Sequence, residues 1–228
     1  MTRLGALALA LLAAGCMSDV STSRSGAAPA DTARYLALGD SYTIGEGVED
    51  SGRWPVQLAA ALRADGVPVA APEVVAVTGW TVAELDAGID AADPQGPFDL
   101  VTLLIGVNDQ YRGHDLGGYR AAYRAMLARA VAFAGGDPAR VVAVSFPDWG
   151  VTPFAAGRDA AQIATGVDAF NAAAREIAEA AGVAWVDVTP LSRTQGAMVV
   201  ADGLHPDGAV YAAWTARIAP VARAALGR

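Results

Sequence analysis

Lysine is absent from this sequence, and all 16 basic residues are arginines that lie singly along the chain. A formal net charge of -8 and the lack of a basic cluster leave no surface suited to a phosphate backbone, which argues against nucleic-acid binding. Charged residues make up only 18% of the 228 residues and hydrophobic ones 54%, so a well-packed globular protein is favoured over disorder. The length suits one compact domain.

Cysteine and histidine are also scarce. The single cysteine, Cys16, excludes an intramolecular disulfide, so the stability of the fold must come from its core. The two histidines, His114 and His205, are too few for a histidine-rich metal site, and neither a His-Glu-x-x-His motif nor a cysteine pair occurs. The sequence therefore predicts no metal ion and no other cofactor.

The N-terminal segment has the pattern of an export signal. One basic residue, Arg3, precedes an apolar run over residues 4–14 that is too short to span a bilayer in a mature protein. The string Leu-Ala-Ala-Gly-Cys ending at Cys16 resembles the lipobox of bacterial lipoproteins, in which the cysteine carries the lipid. We therefore predict a signal peptide over residues 1–15 and lipidation of Cys16. The alternatives are an ordinary cleaved signal, which would give a secreted soluble protein, and a buried thiol at Cys16.

The segment after Cys16 shows no hydrophobic period and is rich in Ser, Ala, Gly and Pro. Such a composition is typical of a flexible tether, which we place over residues 16–33, and the folded domain is predicted to occupy residues 34–228. The expected location is the cell envelope, with the domain held at a membrane by its lipid. No obligate protein partner is implied.

Short apolar runs alternate with helical patterns along the domain, which predicts a parallel sheet flanked by helices. The five strand candidates are rich in Val, Leu and Ile and lie at residues 35–38, 73–77, 100–105, 141–145 and 183–188. Helical spacing occurs between them, and a last helix is predicted over residues 207–226 with Asp207 as its N-cap. The strands lack clear alternation, as expected of a sheet covered on both faces. We predict an α/β fold, a flavodoxin-like three-layer α/β/α sandwich with five parallel strands.

Ligands of such open sheets bind beyond the carboxyl ends of the strands, so the residues that follow each strand are the candidates for chemistry. Ser41 follows the first strand candidate, Gly79 the second and Asn108 the third, while Asp202 and His205 precede the last helix. Serine needs a base within hydrogen-bond reach and a third group that orients the base. Ser41, His205 and Asp202 can meet that need.

Other interpretations of these residues remain open at this point. Each motif taken alone could be an ordinary cap or turn. His114 lies in a polar, glycine-rich stretch and is more readily explained as a solvated loop residue. Asp187, at the end of the fifth strand candidate, is the alternative acid, although it is better placed to brace a loop. An oxyanion hole could be built from the amide of Gly79 and the side chain of Asn108, each of which could also be a plain turn residue.

Together, four blocks of the sequence resemble the GDSL or SGNH hydrolase family, in the family's order. They are Gly-Asp-Ser-Tyr at residues 39–42, the glycine at position 79, Gly-Val-Asn-Asp at residues 106–109 and Asp-Gly-Leu-His at residues 202–205. The competing Gly-x-Ser-x-Gly fingerprint of α/β-hydrolases is absent. The resemblance implies a serine esterase that works through an acyl-enzyme, with Ser41 as nucleophile, His205 as base and Asp202 as its partner. It also implies an oxyanion hole of the Ser41 and Gly79 amides and the Asn108 side chain.

The substrate is less defined than the chemistry. Aromatic residues expected at the active edge suit an acyl chain, an aryl ester or a sugar ring alike, and residues 146–154 are the best candidates for setting specificity. A lipid anchor slightly favours lysophospholipid or thioester hydrolysis over carbohydrate O-deacetylation. A catalytically idle binding lipoprotein is a further alternative, whereas a flavin binder is disfavoured because acidic residues follow the first strand. The predicted substrate-binding residues are Trp80, Tyr111, Trp149 and Phe154.

Overall fold

The computed structural model of the protein describes residues 32–227. The predicted signal peptide, Cys16 and nearly all of the predicted tether lie outside the described residues. Within residues 32–227, none of the helices combines the length and the apolar character needed to cross a membrane.

The core is a five-stranded sheet in which every strand is parallel to its neighbours, in the order β2-β1-β3-β4-β5. The central strands β1, β3 and β4 are buried throughout, which explains why their sequences lack an apolar and polar alternation. The strands are β1 (Tyr35–Gly39), β2 (Glu73–Ala76), β3 (Leu100–Leu104), β4 (Val141–Val144) and β5 (Ala184–Val186).

Helices cover both faces of the sheet, so the predicted three-layer sandwich is confirmed. One layer consists of α2 and α8, which pack against each other, and the other of α3, α5 and α6. The helices are α1 (Ser41–Ile44), α2 (Trp54–Ala64), α3 (Val82–Ala92), α4 (Val107–Tyr111), α5 (Leu116–Phe133), α6 (Ala160–Ala180), α7 (Thr189–Gln195) and α8 (Gly208–Ala225).

The ends of the elements differ slightly from the predictions. The second strand stops at Ala76, and Val77 beyond it is 47% exposed; the fifth strand covers only Ala184–Val186. The predicted N-cap of the last helix is confirmed, because the carboxylate of Asp207 accepts the amides of Ala209 and Val210. In the second and fifth strands, apolar residues continue past the last paired residue, so composition alone places their ends too late.

Candidate active site

Ser41 lies at the turn between the central strand β1 and helix α1. Gly39, the last residue of β1, pairs with both neighbouring strands, and a Cβ on it would lie 2.5 Å from the carbonyl oxygen of Leu104. Only glycine therefore fits where the chain leaves the sheet. Asp40 then caps α1, since its Oδ1 accepts the amide of Tyr42 at 3.0 Å. The result places Ser41, which is only 4% exposed, at the carboxyl edge of the sheet.

Asp40 is a buried carboxyl group directly beside the serine. It has no exposed surface, and its Oδ2 finds no hydrogen-bond partner among residues 32–227. Burial raises the pKa of Asp40 to about 8, with a smaller contribution from the charge of Asp109, although the amide of Tyr42 opposes the shift. The buried surroundings of Asp40 therefore favour its protonated form over the carboxylate.

His205 and Asp202 face each other within one tight turn. Nδ1 of His205 lies 2.6 Å from Oδ2 of Asp202, while Oδ1 of the same carboxylate accepts the amides of Leu204 and His205 at 2.8 and 3.0 Å. Gly203 has a φ of 74°, a left-handed conformation that glycine adopts without strain. Partial burial acts to raise the pKa of Asp202, but the hydrogen bonds from His205 and Leu204 outweigh it and hold that pKa below its ordinary value.

The Asp202 contact fixes the protonation pattern of the imidazole. A carboxylate can only accept, so Nδ1 of His205 carries the hydrogen and Nε2 is left as an acceptor. The ring is 7% exposed and packs against Tyr42, with 5.4 Å between the ring centroids. His205 and Ser41 line the same cleft, although no hydrogen bond joins them within the described part of the chain.

The two other predicted elements of an oxyanion hole line this cleft as well. Gly79 has a φ of 88° in the turn after β2, and Asn108 lies in the first turn of α4. Nδ2 of Asn108 donates to the carbonyl of Trp80 at 2.9 Å, which holds the side chain and uses one of its two N–H groups. Among residues 32–227, we find no acceptor for the backbone amide of Ser41 or of Gly79.

The cleft itself is small, with a volume of about 150 Å³. Of the four aromatic residues predicted to bind substrate, Tyr111, Trp149 and Phe154 lie in its wall, whereas Trp80 is not among the residues that line it. The Trp80 ring lies against Gly88 of α3, where any side chain would collide with it. The residues that line the cleft are Ser41, Tyr42, Thr78, Gly79, Val107, Asn108, Tyr111, Trp149, Phe154, Leu204 and His205. A larger groove of about 550 Å³ between α5 and α6 contains neither histidine nor serine.

The alternative candidates lie elsewhere. The side chain of His114 is 48% exposed, and its Nδ1 lies 3.2 Å from the buried Asp109 rather than in the cleft. Asp187 accepts the hydroxyl of Ser145 at 2.9 Å and the amide of Thr189 at 3.0 Å, so it braces the start of α7. Within residues 32–227, no group of three or more His, Cys, Asp and Glu side chains is arranged to hold a metal ion.

Several cleft residues are absent from the sequence predictions. Thr78, Val107 and Leu204 each adjoin a predicted site residue in the sequence, and this position beside a site residue is the one feature that could have indicated them. Gln110 does not line the cleft but supports its wall. Its Oε1 accepts a hydrogen bond from Nε1 of Trp149 at 2.8 Å, which holds the indole in place. No local pattern indicates that contact, since the two residues lie on different segments.

A serine at the strand-to-helix turn and a histidine–aspartate pair across one cleft, at the carboxyl edge of a parallel sheet, are the features of a serine hydrolase. The GDSL-like Lipase/Acylhydrolase family matches residues 37–213, and the chain belongs to this family. It is thus a serine hydrolase that acts on ester bonds.

Solved structures share the fold. The structure of TesA superposes with a TM-score of 0.65 at 22% identity, covering 84% of this chain and 99% of that one. The lipase/acylhydrolase from Enterococcus faecalis gives a TM-score of 0.63 at 20% identity, over 86% and 97% of the two chains. Axe2, an acetyl-xylooligosaccharide esterase from Geobacillus, gives 0.60 at 19% identity, over 86% and 94%. No curated protein matches the chain in sequence.

Proposed function

We propose that the protein hydrolyses carboxylic or thio esters through a covalent acyl-enzyme on Ser41, with His205 as the base and Asp202 as its orienting partner. The observation that carries this proposal is the 2.6 Å contact between His205 Nδ1 and Asp202 Oδ2. It leaves Nε2 of His205 as a proton acceptor in the cleft that Ser41 lines.

The reaction runs in two halves. In the first, Nε2 of His205 takes the hydroxyl proton of Ser41 as the serine oxygen attacks the ester carbonyl carbon. The imidazolium, stabilised by Asp202, then gives this proton to the departing alcohol or thiol. In the second half, His205 removes a proton from water as the water oxygen attacks the acyl carbon. The bond between that carbon and Ser41 Oγ then breaks, the imidazolium returns its proton to Ser41 Oγ, and the acid leaves.

Negative charge on the carbonyl oxygen needs donors that are already in place. The amides of Ser41 and Gly79 and the remaining N–H of Asn108 are the three groups we assign to this task. The Asn108 contact with Trp80 supports its part, because a side chain held by one hydrogen bond has less freedom to lose when it binds the oxyanion.

The cleft volume supports short acyl groups or aryl esters as substrates. At about 150 Å³ it is smaller than the roughly 300–1,000 Å³ of typical drug-sized sites, so a long acyl chain would have to run out over the surface. Lysophospholipids and fatty-acyl thioesters are candidates only if their acyl chains extend out of the cleft along the protein surface. Carbohydrate O-acetyl esters are the second candidate, since an acetyl group fits the cleft and aromatic rings at its mouth suit a sugar. Anchoring to a membrane through Cys16 remains a prediction.

A panel of p-nitrophenyl esters from acetate to palmitate tests the proposal. We expect acetate and butyrate esters to react fastest, and Ser41→Ala to lower kcat by about 10⁶-fold, as removal of a triad serine does elsewhere. Ser51→Ala, which changes an exposed serine, is the matched control and should react as the unmodified protein does. Hydrolysis that survives in Ser41→Ala would overturn the assignment.

A further inference from the structure

Arg158 lies among three aromatic rings at the mouth of the cleft. Its guanidinium carbon is 5.5 Å from the ring centroid of Tyr111, 5.4 Å from that of Trp149 and 5.0 Å from that of Phe154. All three distances fall within the roughly 6 Å range of a cation–π contact. The same three aromatic side chains line the cleft that contains Ser41.

The three rings hold the Arg158 guanidinium in place. They contact one another, with the closest pair, Tyr111 and Trp149, 5.2 Å apart and edge to face. Trp149 is held by its hydrogen bond to Gln110. The amide of Phe154 donates to the carbonyl of Gly203 at 2.9 Å, which joins this loop directly to the turn that carries His205. These contacts restrict the position of the Arg158 guanidinium relative to the turn that carries His205.

Arg158 forms no salt bridge with any carboxylate among residues 32–227, in contrast to other arginines near the site. Arg112 pairs with Glu84 and Arg193 pairs with Asp148 and Asp168. The neighbouring Asp159 is used as the N-cap of α6, where it accepts the amide of Gln162 at 3.0 Å. The only hydrogen bond that Arg158 donates from its side chain within this range is a long one of 3.5 Å to the hydroxyl of Tyr111.

We propose that Arg158 binds an anionic group of the substrate, a carboxylate or a phosphate, so that the protein selects esters that carry a negative charge. A guanidinium stacked on rings keeps its N–H edge available, and that edge matches a carboxylate or phosphate with two parallel hydrogen bonds. A cationic ester is disfavoured because the rings that would hold it are already in contact with a positive charge. This inference rests on the proposed ester hydrolysis at Ser41.

Esters with the same reacting group and different charge test the preference. One series varies the alcohol side: 3-acetoxybenzoate, 3-methylphenyl acetate and 3-acetoxyphenyltrimethylammonium are anionic, neutral and cationic. A second varies the acyl side, with p-nitrophenyl hydrogen adipate against p-nitrophenyl hexanoate. Because values of kcat/KM are compared between protein variants for each ester, differences in intrinsic reactivity cancel.

In at least one series, we expect Arg158→Gln to lower kcat/KM for the anionic ester about five-fold more than for its neutral partner, which is the size of a partly exposed ionic contact. Arg158→Lys should recover part of this difference because it keeps the charge. Arg175→Gln, which removes an equal charge from the exposed side of α6, should leave the ratio of the unmodified protein unchanged.

Equal effects of Arg158→Gln on charged and neutral esters in both series would overturn the inference, as would a larger loss of kcat/KM for the cationic ester than for the anionic one. Calorimetric binding of 3-hydroxybenzoate and of 3-methylphenol gives a second readout that needs no turnover. Weaker binding of the benzoate alone in Arg158→Gln supports the inference even if no ester is hydrolysed, a result that would contradict only the proposed function. Unchanged binding of both compounds would count against Arg158 itself.

Discussion

At the scale of single residues, Asp202 uses both of its carboxylate oxygens inside one turn. Oδ1 accepts two backbone amides and shapes the turn, and Oδ2 accepts Nδ1 of His205. An asparagine could keep the first set of contacts through its carbonyl oxygen but would present an N–H group to the imidazole. It would therefore favour the wrong tautomer without dismantling the turn.

Asp202→Asn is expected to lower kcat for p-nitrophenyl acetate by about 10⁴-fold. The same change in the triad of a serine protease causes a loss of this size. Asp187→Asn is the matched comparison, since Asp187 contacts Ser145 and Thr189 instead. Its kcat should stay close to that of the unmodified protein. The reverse pattern would transfer the orienting role to Asp187.

Asn108→Ala tests the proposed role of the Asn108 side chain as an oxyanion donor. We expect a loss of about 10²- to 10³-fold in kcat with a small change in KM, because the missing bond forms mainly in the transition state. Steady-state kinetics with p-nitrophenyl acetate measure both parameters. A rise in KM at constant kcat would instead indicate that Asn108 binds the ground state of the substrate.

The candidates for catalysis could be named from the sequence because the reaction needs particular side chains. The aromatic residues of the cleft wall were harder to name, because many side chains of similar size could fill those positions. Serine, histidine and aspartate at the ends of predicted elements restrict the search sharply, because only two histidines exist. The direction of an aromatic ring depends on its packing partner, which is why Trp80 turned toward Gly88 although it follows a predicted strand. Arg158 gave no signal in the sequence: Trp149 and Phe154 are near it along the chain, but the third neighbour, Tyr111, comes from a distant segment.

At the scale of the elements, helix α8 begins two residues after Pro206, close to the turn that presents His205. Asp207 satisfies two amides at its first turn. Its cap therefore stabilises both the helix and the position of the turn. The spacing of an acidic residue before an apolar helical period made this cap predictable.

Asp207→Ala should lower the free energy of unfolding by about 1 kcal/mol, since it leaves two amides without their side-chain acceptor. Asp207→Asn keeps an acceptor oxygen and is expected to remain within a few tenths of the original stability. Denaturant unfolding measures both. Equal stability of the alanine and asparagine variants would show that the cap contributes nothing.

Helix α2 is absent from the predicted elements, although its buried residues Trp54, Leu58 and Leu62 have a helical spacing of four. Its start lacks a side-chain cap, because Arg53 occupies the N-cap position. Pro55 in its first turn is a start signal, but without a cap residue it did not mark the helix against the acidic, glycine-containing stretch before it. The strands and the long helices, in contrast, had both a clear period and turn residues at their ends.

At the scale of the whole molecule, the buried Asp40 links stability to pH. Its ordinary pKa is 3.8 and its pKa in the fold is about 8. Between these values the folded protein keeps a proton that the unfolded chain has released, so the contribution of Asp40 to the free energy of unfolding falls as pH rises. Above about pH 8, where both states have lost the proton, this contribution is constant.

Asp40→Asn should abolish this pH dependence while keeping the cap on Tyr42. We expect its stability, relative to the unmodified protein, to grow with pH by at most about 1.4 kcal/mol per unit and to level off above about pH 8. Unfolding curves at several pH values measure the difference. Asp50→Asn, at a side chain that is 86% exposed, should show no such trend. A flat difference for Asp40→Asn would mean that Asp40 is ionised in the fold.

The central claim is that the hydroxyl of Ser41 is the nucleophile. A fluorophosphonate reacts covalently with an activated serine, and mass spectrometry of the digested protein locates the adduct. We predict modification of Ser41, abolished in Ser41→Ala and slowed strongly in His205→Ala. A protein that hydrolyses esters yet carries the adduct on Ser51, Ser145 or Ser192, with Ser41 unmodified, would contradict the account.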